Sequence, residues 1–533
     1  MTARSLLLIS NNEKNQLIAA TISAILIAIP ICLMVPLYQD DFERAINGQY
    51  YWSGDGRPIA ELIYRLISFG SPQVVLTSPL GMLLCIPGIS FSSLLLCRIF
   101  DHRKIWGGAL AAILLFSSPY FIENLSFSFD SPMMVLAVFF SLCAAYLIVS
   151  FCSKWASFAA VFLAVCSLSL YQAANSAVWI PVLLFCLFRI PLSDKPAEIG
   201  AYQQESSASN LIRRTNIQII RSLFFCLFFA LLIYKFFVLP NSGLLDYALE
   251  HGSTPSFFML PITIIGNVGL FVNDVLKDWD GKFGLAFGGF LIISIFAASL
   301  DSQLINRSLD KNKSRSGPIL VILFRFIAAL SILAFSYGLA LILEEPVFDP
   351  RAFTGIGVYM ASIALLATRY TNLNDSQFIY APTLRFGKDL LVVVSSFAAA
   401  WACVYILFAY ANAYASQQNL NDYYLGSIAQ EVRQKGYGPY DIDKLAIKGK
   451  SPRSPVALNT FRTLPVLKNH GRIAPLSWYW PNLKLMSYGF NQITMTDFNN
   501  VNEQNLISSD PVYNLYVDDN TLFVRFNKRK KPQ

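Results

Sequence analysis

The sequence predicts an α-helical polytopic membrane protein of about eleven transmembrane helices, followed by a small α/β domain. The first observation is composition: 55% of the 533 residues are hydrophobic and 14% are charged, whereas charged residues reach roughly 25% in soluble domains. The second is that most of the apolar stretches are roughly 18 to 25 residues long, which suits a helix crossing about 30 Å of hydrocarbon, although the third and fifth are shorter. The third is that polar and turn-forming residues return after residue 411.

The apolar stretches place the spans in order along the chain. They lie near 17–37, 75–97, 105–119, 131–151, 155–170, 176–190, 216–238, 283–300, 318–343, 352–368 and 389–411. The first is too long for a signal-peptide core and lacks a small-x-small cleavage site, so we expect it to remain as a helix. The stretch 255–276, PSFFMLPITIIGNVGLFVNDVL, is either another span or a re-entrant or interfacial helix.

The distribution of Lys and Arg predicts the orientation. If the N-terminus is cytoplasmic, most of these residues fall in inner loops, and the outer loops between spans hold only Arg44, Arg57, Arg65, Lys277, Lys282 and Arg351. This bias agrees with the positive-inside rule. With an odd number of spans, a membrane domain over 1–411 is followed by an extracytoplasmic domain over 412–533.

The C-terminal domain is predicted to mix α and β structure. The segment DKLAIKG indicates a strand, and VYNLYVDDNTLFVRF indicates a hairpin that turns at residues 518–520. Lys and Arg outnumber the acids in this domain, which suits anionic lipid headgroups. An ordinary solvated surface is the equal alternative.

Polar residues gather at the predicted outer ends of the spans. Four loops contribute them. The first outer loop contains both YQDDFER and YYWSGDGRPIAELIY, and the second contains YFIENLSFSFDSP. The third contains LYQAAN, and the fifth contains LEEPVFDPRAF. Asp40 and Asp41 follow the first span, where a helix C-terminus disfavours acids, so their presence favours a functional role.

Each of these residues also has a plainer interpretation. Loop carboxylates such as Asp55 and Glu123 are normally solvated, and Asp130 before Ser-Pro suits a helix cap. Tyr51 and Trp52 suit an interfacial anchor as well as a sugar ring. Glu344 and Glu345 stand where an apolar helix ends and indicate another partner, with Arg351 or a ligand as the candidates.

Several other functional classes find no support. The DWD segment at 278–280 is too short to be specific for a nucleotide-sugar site, and the topology places it outside. The three histidines show no metal-ligand spacing, so neither a metal nor a cofactor is predicted. Phosphate-binding loops, dinucleotide fingerprints and basic runs for nucleic acid are lacking in the sequence.

In this order, the segments YQDDFER, YYWSGDGRPIAELIY, NLSFSFDSP, SLYQAANS and DPRAF resemble the serotype-converting O-antigen glucosyltransferases (Gtr type) of the C-type membrane glycosyltransferase class. The resemblance covers roughly residues 15–370. It implies the C-type architecture. It also implies that the enzyme transfers a sugar, expected to be glucose, from a polyprenyl-phosphate carrier to a lipopolysaccharide O-antigen or similar glycan with inversion of the anomeric centre. It places the reaction at the periplasmic face of the bacterial inner membrane. The implied partners are the lipid-linked donor, the glycan acceptor, the bilayer, a flippase and a donor-synthesising glucosyltransferase.

The resemblance also implies roles for residues. An acid of the first outer loop acts as general base, which leaves Asp41 and Asp40 as alternatives, with Asp41 slightly favoured. The leaving phosphate needs cations, and Arg57, Arg351 and Arg44 are the candidates. The predicted substrate contacts are Asp130, Tyr171, Gln172, Asn175, Glu344, Glu345, Tyr51 and Trp52.

A transporter or flippase of lipid-linked sugars is the competing hypothesis. Transport sites usually lie near the bilayer midplane, on interrupted helices or intramembrane charges. The interiors of most predicted spans lack acids, which favours the enzyme. A structural or receptor-like membrane protein is the third alternative.

Overall fold

A computed structural model describes residues 9–35, 37–38, 40–151, 153–189, 216–309, 318–369, 382–469, 473, 476, 480–498 and 501–527. The predicted inner loops around residues 195, 213 and 311–315 lie outside these ranges. The helices are, in chain order, α1 (Asn11–Met34), α2 (Asp40–Asn47), α3 (Pro58–Ile67), α4 (Leu80–Ile99), α5 (Trp106–Phe116), α6 (Ile122–Ser126), α7 (Ser131–Ser150), α8 (Lys154–Leu168), α9 (Ser176–Phe188), α10 (Asn216–Ile233), α11 (Asp246–His251), α12 (Leu260–Asp278), α13 (Lys282–Leu309), α14 (Pro318–Ala334), α15 (Thr354–Thr368), α16 (Pro382–Gln434), α17 (Pro455–Thr463), α18 (Val466–Asn469) and α19 (Trp480–Ser487).

The described helices confirm the multi-pass membrane class. Seven are long and apolar enough to cross a membrane, namely α1, α4, α7, α10, α12, α13 and α16, and five shorter apolar helices, α5, α8, α9, α14 and α15, accompany them. Each predicted span coincides with one of these helices. The remaining helix, α12, covers the stretch that the sequence left ambiguous.

The contacts of α12 favour the interfacial alternative. The amide of Asn267 donates to the backbone carbonyls of Leu341 and Leu343 at 3.0 and 2.9 Å. Near the end of the helix, the Tyr120 hydroxyl donates to Asp278 at 3.5 Å. α12 also packs against α18 of the C-terminal domain. Because these partners all belong to loops or helices at one end of the bundle, α12 lies along that end.

The core of the bundle surrounds α15. Every residue from Thr354 to Thr368 is buried, and α15 packs against α5 and α9. A Cβ at Gly357 would lie 2.7 Å from the Leu115 carbonyl oxygen of α5, so only glycine permits this close approach. Small residues serve the same purpose in other membrane helix pairs.

The C-terminal domain begins on the helix that ends the membrane part. α16 runs without interruption through residue 411, where the sequence placed a domain boundary, and its last turns join a second hydrophobic core. The strands β1 (Lys444–Lys448), β2 (Thr494–Met495), β3 (Leu506–Ser509), β4 (Tyr513–Asp518) and β5 (Thr521–Phe526) form one sheet in the order β2-β1-β5-β4-β3.

The predicted strand and hairpin are both present in that sheet. β1 corresponds to DKLAIKG and pairs in parallel with β5 and β2. β4 and β5 pair antiparallel around Asp519 and Asn520, whose φ values of 43° and 57° give the left-handed turn that a two-residue hairpin loop requires.

Candidate active site

The first outer loop folds into the short helix α2, which begins with two acids. Asp40 and Asp41 open α2, Glu43 lies in the same turn, and Arg44 lies in the last turn. The preceding helix has already ended at Met34. The expectation that the two acids lie at an unfavourable helix C-terminus is therefore wrong, because a helix N-terminus stabilises negative charge.

Asp41 is buried and joins two loops. Its carboxylate accepts hydrogen bonds from the backbone N–H groups of Tyr38 at 3.0 Å, Ser128 at 2.8 Å and Phe129 at 3.3 Å. Burial raises the pKa of Asp41 to about 7, although the Ser128 N–H opposes the rise. The Asp41 side chain is 0% exposed in the structure. These contacts give Asp41 a role in joining the two loops, and its role as base stays a prediction.

Asp130 is held by two side chains of the first outer loop. Arg44 forms a buried ion pair with one carboxylate oxygen, and the Trp52 indole N–H donates to the other. The Arg44 guanidinium also lies 4.5 Å from the centre of the Trp52 ring. Burial alone would raise the pKa of Asp130, but Arg44, Arg57 and the Trp52 N–H together hold it below its usual value. We call Asp41, Arg44, Trp52 and Asp130 the buried network.

The buried network corrects three predictions. Asp130 occupies the N-cap position of α7, as the sequence suggested, but its side chain makes no capping hydrogen bond. Its two partners leave it poorly placed to contact substrate. Trp52 is 0% exposed and stacks on Tyr64 with ring centroids 4.5 Å apart, so it packs inside the protein and does not face a sugar or the membrane interface. Arg44 is 6% exposed, and its charge is taken up by Asp130, which removes it from the phosphate-binding candidates.

Asp40 and Asp55 form a half-buried acidic face beside this network. Both remain partly accessible to solvent. The charge of Asp40 acts on Asp55, on Arg44 and on Arg351. Burial raises the pKa of Asp55, while Arg57 and Arg44 oppose the rise. Of the two adjacent acids, Asp40 is thus the one that combines solvent access with a position near cations.

Arg57 stands where α3 begins and reaches the third outer loop. Its Nε donates to Gln172 Oε1 at 3.3 Å, and its Cζ lies 5.2 Å from the centre of the Tyr171 ring. Gln172 is fixed in turn, because its amide donates to the Asp55 backbone carbonyl at 3.0 Å and to the Tyr234 hydroxyl at 2.8 Å. Within the described part of the chain, none of the ion pairs includes Arg57. Its guanidinium is therefore oriented and half-buried, with capacity to bind an anion.

Arg351 reaches the same region from the loop before α15. It pairs with Asp349 at 3.5 Å. Its backbone carbonyl accepts hydrogen bonds from the Tyr171 hydroxyl at 2.6 Å and the Asn124 amide at 3.1 Å. Burial would lower the pKa of Arg351, but the charges of Glu123 and Asp349 outweigh it and raise the pKa. The guanidinium stays charged, and the Arg351 backbone is anchored to two other outer loops.

The remaining aromatic and amide candidates differ in accessibility. Tyr51 is 40% exposed, near Glu43, and its ring is available to a ligand. Tyr171 and Asn175 are 4% and 1% exposed, so they do not form the surface of the site in the structure.

Glu344 and Glu345 follow the short helical turn that ends at Ile342. Both are exposed, and the Glu344 backbone N–H donates to the Ser253 carbonyl at 3.1 Å. Arg351, their predicted partner, pairs with Asp349 instead. A role for Glu344 and Glu345 in substrate binding stays a prediction.

Three residues of the region escaped the sequence analysis. Asp55 and Glu123 were expected to be solvated, yet Glu123 is 2% exposed and accepts from the Tyr38 hydroxyl at 3.0 Å. The sequence does hold one signal for Asp55, which is the glycine that follows it. In the structure Gly56 has a φ of +75°, and a Cβ there would lie 2.8 Å from the Tyr234 hydroxyl, so only glycine fits. Tyr234 has no comparable signal, since it lies at the end of an apolar stretch.

Taken as chemistry, the site offers a proton acceptor and two cations. Asp40 can accept a proton, and Arg57 and Arg351 can stabilise an anion that develops nearby. This combination suits displacement at a carbon that carries an acidic leaving group. Among the described residues, no group of three or more His, Cys, Asp and Glu is arranged to hold a metal ion.

Comparison with known proteins adds three findings. Residues 29–362 match the family model of glucosyl transferase GtrII. The chain is 25% identical over 521 residues to an uncharacterized 55.3 kDa protein in the gtrB 5′ region of Salmonella phage P22, covering 95% of this chain and 96% of that protein. Among solved structures, the cryo-EM structure of the arabinofuranosyltransferase AftD from mycobacteria aligns with a TM-score of 0.38 at 11% identity, over 84% of this chain and 31% of AftD. The chain thus spans less than a third of AftD.

Proposed function

This chain belongs to the glucosyl transferase GtrII family, and from that membership we propose that it moves glucose from a polyprenyl-phosphate carrier to an O-antigen or similar lipid-linked glycan. The reaction takes place at the periplasmic face of the bacterial inner membrane. The observation that carries the proposal is the convergence of Asp40, Arg57 and Arg351 at one end of the helix bundle. Two loops contribute them, since Asp40 and Arg57 belong to the first outer loop and Arg351 to the loop before α15. Both Arg57 and Arg351 contact Tyr171 of the third outer loop.

Asp40 is the general base. The acceptor hydroxyl attacks the anomeric carbon of the donor, and the Asp40 carboxylate takes the proton as the new carbon–oxygen bond forms. Attack from the face opposite the phosphate inverts the anomeric centre. A well-placed base contributes about 100- to 10,000-fold to such a step. Asp55 lies in the electrostatic field of Asp40 and orients a sugar hydroxyl.

Arg57 and Arg351 bind the leaving group. The bond between the anomeric carbon and the phosphate oxygen breaks, and the electron pair stays on the phosphate, whose charge the two guanidinium groups stabilise. The phosphate is already a good leaving group, so it needs cations and no proton donor. The Gln172 side chain positions Arg57 through the contact between Oε1 and Nε at 3.3 Å.

The C-terminal domain lies close enough to α2 to help bind the acceptor glycan. α19 packs against α2. Lys484 on α19 contacts Asp422 and Gln418 of α16, and its Nζ lies 5.1 Å from the centre of the Phe42 ring. The acceptor glycan then approaches Asp40 between this domain and the membrane loops.

A reconstituted transfer assay tests the proposal. Purified protein in proteoliposomes is supplied with synthetic polyprenyl-phosphate glucose, labelled in the sugar, and with a lipid-linked O-antigen acceptor. We expect labelled glycan whose new linkage has the opposite anomeric configuration to the donor, as determined by NMR. Movement of the donor across the bilayer without transfer would instead support a transporter. Retention of configuration would contradict the single-displacement mechanism.

A further inference from the structure

We propose that residues 62–76, which we call the outer wedge, insert into the hydrocarbon of the outer leaflet without crossing it. The wedge consists of the second half of α3 and the loop that leads toward α4. Its apolar side chains are unusually exposed: Leu62 54%, Leu66 68%, Phe69 99%, Val75 65% and Leu76 39%. Clustered apolar exposure of this kind marks an interaction surface.

One face of α3 already packs on the protein. Ala60 and Tyr64 are buried, and the Tyr64 ring stacks on Trp52 at 4.5 Å. Leu62 and Leu66, one turn apart, point away from that packed face. A helix facing water would carry polar residues there, whereas a helix lying in the membrane interface carries apolar ones.

The turn after α3 presents the largest apolar side chain of the wedge. Phe69 has a φ of 53° and is followed by Gly70 with a φ of 74°. Residues other than glycine seldom adopt this left-handed conformation, because it is strained. Here it directs a phenyl ring away from the protein, an arrangement that hydrocarbon around the ring would stabilise and water would not.

The occupant that fits is lipid, since the wedge continues the lipid-facing surface of the spans. Leu80 and Leu83 at the start of α4 are 43% and 51% exposed, and Leu33 at the end of α1 is 75% exposed. The charged residues of α3 stay together on another side, where Arg65 pairs with Glu61 at 2.9 Å and lies 4.3 Å from the centre of the Tyr50 ring. This separation places charge at the headgroups and apolar groups below them.

The wedge has a consequence for the site. Arg57 is the residue that precedes α3, so anchoring α3 in the leaflet fixes the guanidinium at headgroup depth, where the phosphate of a lipid-linked molecule lies. The insertion itself requires only that the chain sits in a membrane. Its test is therefore independent of glycosyl transfer.

Cysteine accessibility measures the insertion. Phe69→Cys and the control Tyr440→Cys replace two exposed aromatic residues, 99% and 79% exposed, one in the wedge and one in the C-terminal domain. A membrane-impermeant maleimide is applied to proteoliposomes of phosphatidylethanolamine and phosphatidylglycerol, with the parent chain giving the background of the native cysteines. We expect about tenfold slower labelling at position 69 than at position 440, because a thiol in apolar surroundings stays protonated and out of reach, and equal labelling in sodium dodecyl sulfate. Equal rates in proteoliposomes would overturn the proposal.

A photocrosslinker identifies what covers the wedge. p-Benzoylphenylalanine at position 69 keeps an aromatic side chain, so this variant tests the proposal if Phe69→Cys does not fold. A product one phospholipid heavier, found by mass spectrometry, supports insertion. Crosslinking to a second copy of the chain would overturn it, because the apolar surface would then be a protein interface.

Discussion

The two neighbouring acids of α2 occupy opposite environments. Asp41 is 0% exposed and is held by three backbone N–H groups, whereas Asp40 remains partly accessible and acts on Arg351 and Asp55. The neighbouring arginines differ in the same way. Arg44 is neutralised by Asp130 inside the protein, whereas Arg57 keeps its capacity to bind an anion. An acidic motif can therefore place adjacent carboxylates in different environments, because helix geometry sends one side chain inward and the next outward.

The orientation of the chain is the first test of this comparison and has an all-or-none outcome. If the acidic face is periplasmic, reporter fusions after Lys388 and after Gln533 should report opposite sides of the membrane, because α16 crosses between them. The Lys388 fusion should report the cytoplasm. A cytoplasmic C-terminal fusion would place Asp40 on the wrong side for a periplasmic reaction.

Removing the base should have the largest kinetic effect. We expect Asp40→Asn to lower turnover by about 100- to 10,000-fold, about 3 to 5 kcal/mol of barrier, while donor binding and folding are retained. Turnover is measured in the reconstituted assay, with membrane insertion verified. Asp41→Asn, the matched control, should chiefly reduce the yield of folded protein. If both variants keep near-wild-type transfer, the base lies elsewhere, and Asp55 becomes the next candidate.

Breaking the buried network should cost stability. Asp130→Asn keeps an acceptor for the Trp52 N–H but leaves the Arg44 charge buried without its partner, a change that typically costs about 3 to 5 kcal/mol. Thermal unfolding in detergent measures the loss. Asp55→Asn on the acidic face is the control and should leave the unfolding free energy unchanged or slightly raised, since burial already disfavours its charged form. Equal stability of the two variants would contradict the distinction between network and face.

Loss of the phosphate clamp should be slightly milder. Arg57→Gln removes one cation from the developing phosphate charge, and we expect a decrease of about 100- to 1,000-fold in turnover. Arg44→Gln serves as a comparison, because it should impair folding before catalysis. Unchanged turnover for a folded Arg57→Gln protein would show that other groups bind the phosphate.

The last test concerns the pH dependence of stability. The pKa of Asp41 is about 7 in the folded protein against an ordinary value of 3.8, so the folded state binds more protons between those values. The unfolding free energy should therefore fall as pH rises from about 4 to about 7. Asp130 strengthens the shift, while Arg44 and the backbone N–H groups oppose it. Thermal unfolding of the wild type and Asp41→Asn across this range isolates the effect, and parallel curves would refute it.

Much of the fold follows from local sequence. Hydropathy located every predicted span, because the bilayer demands a fixed length of apolar helix regardless of what lies beside it. The hairpin at Asp519 and Asn520 was equally predictable, since its turn depends on residues adjacent in the chain. The family resemblance located the loops that converge on the site. It did not separate their residues by role.

Only the tertiary structure decided those roles. Whether a carboxylate is scaffold or reactive depends on partners far away in the chain, as when Asp41 meets Ser128 or Asp130 meets Trp52. Asp130 has the sequence of a helix cap, and Trp52 that of an interfacial anchor, yet long-range packing overrides both local preferences. Sequence patterns determined which residues reach the outer end of the bundle; burial and hydrogen bonding, which arise only when distant loops pack together, determined what each residue there can do.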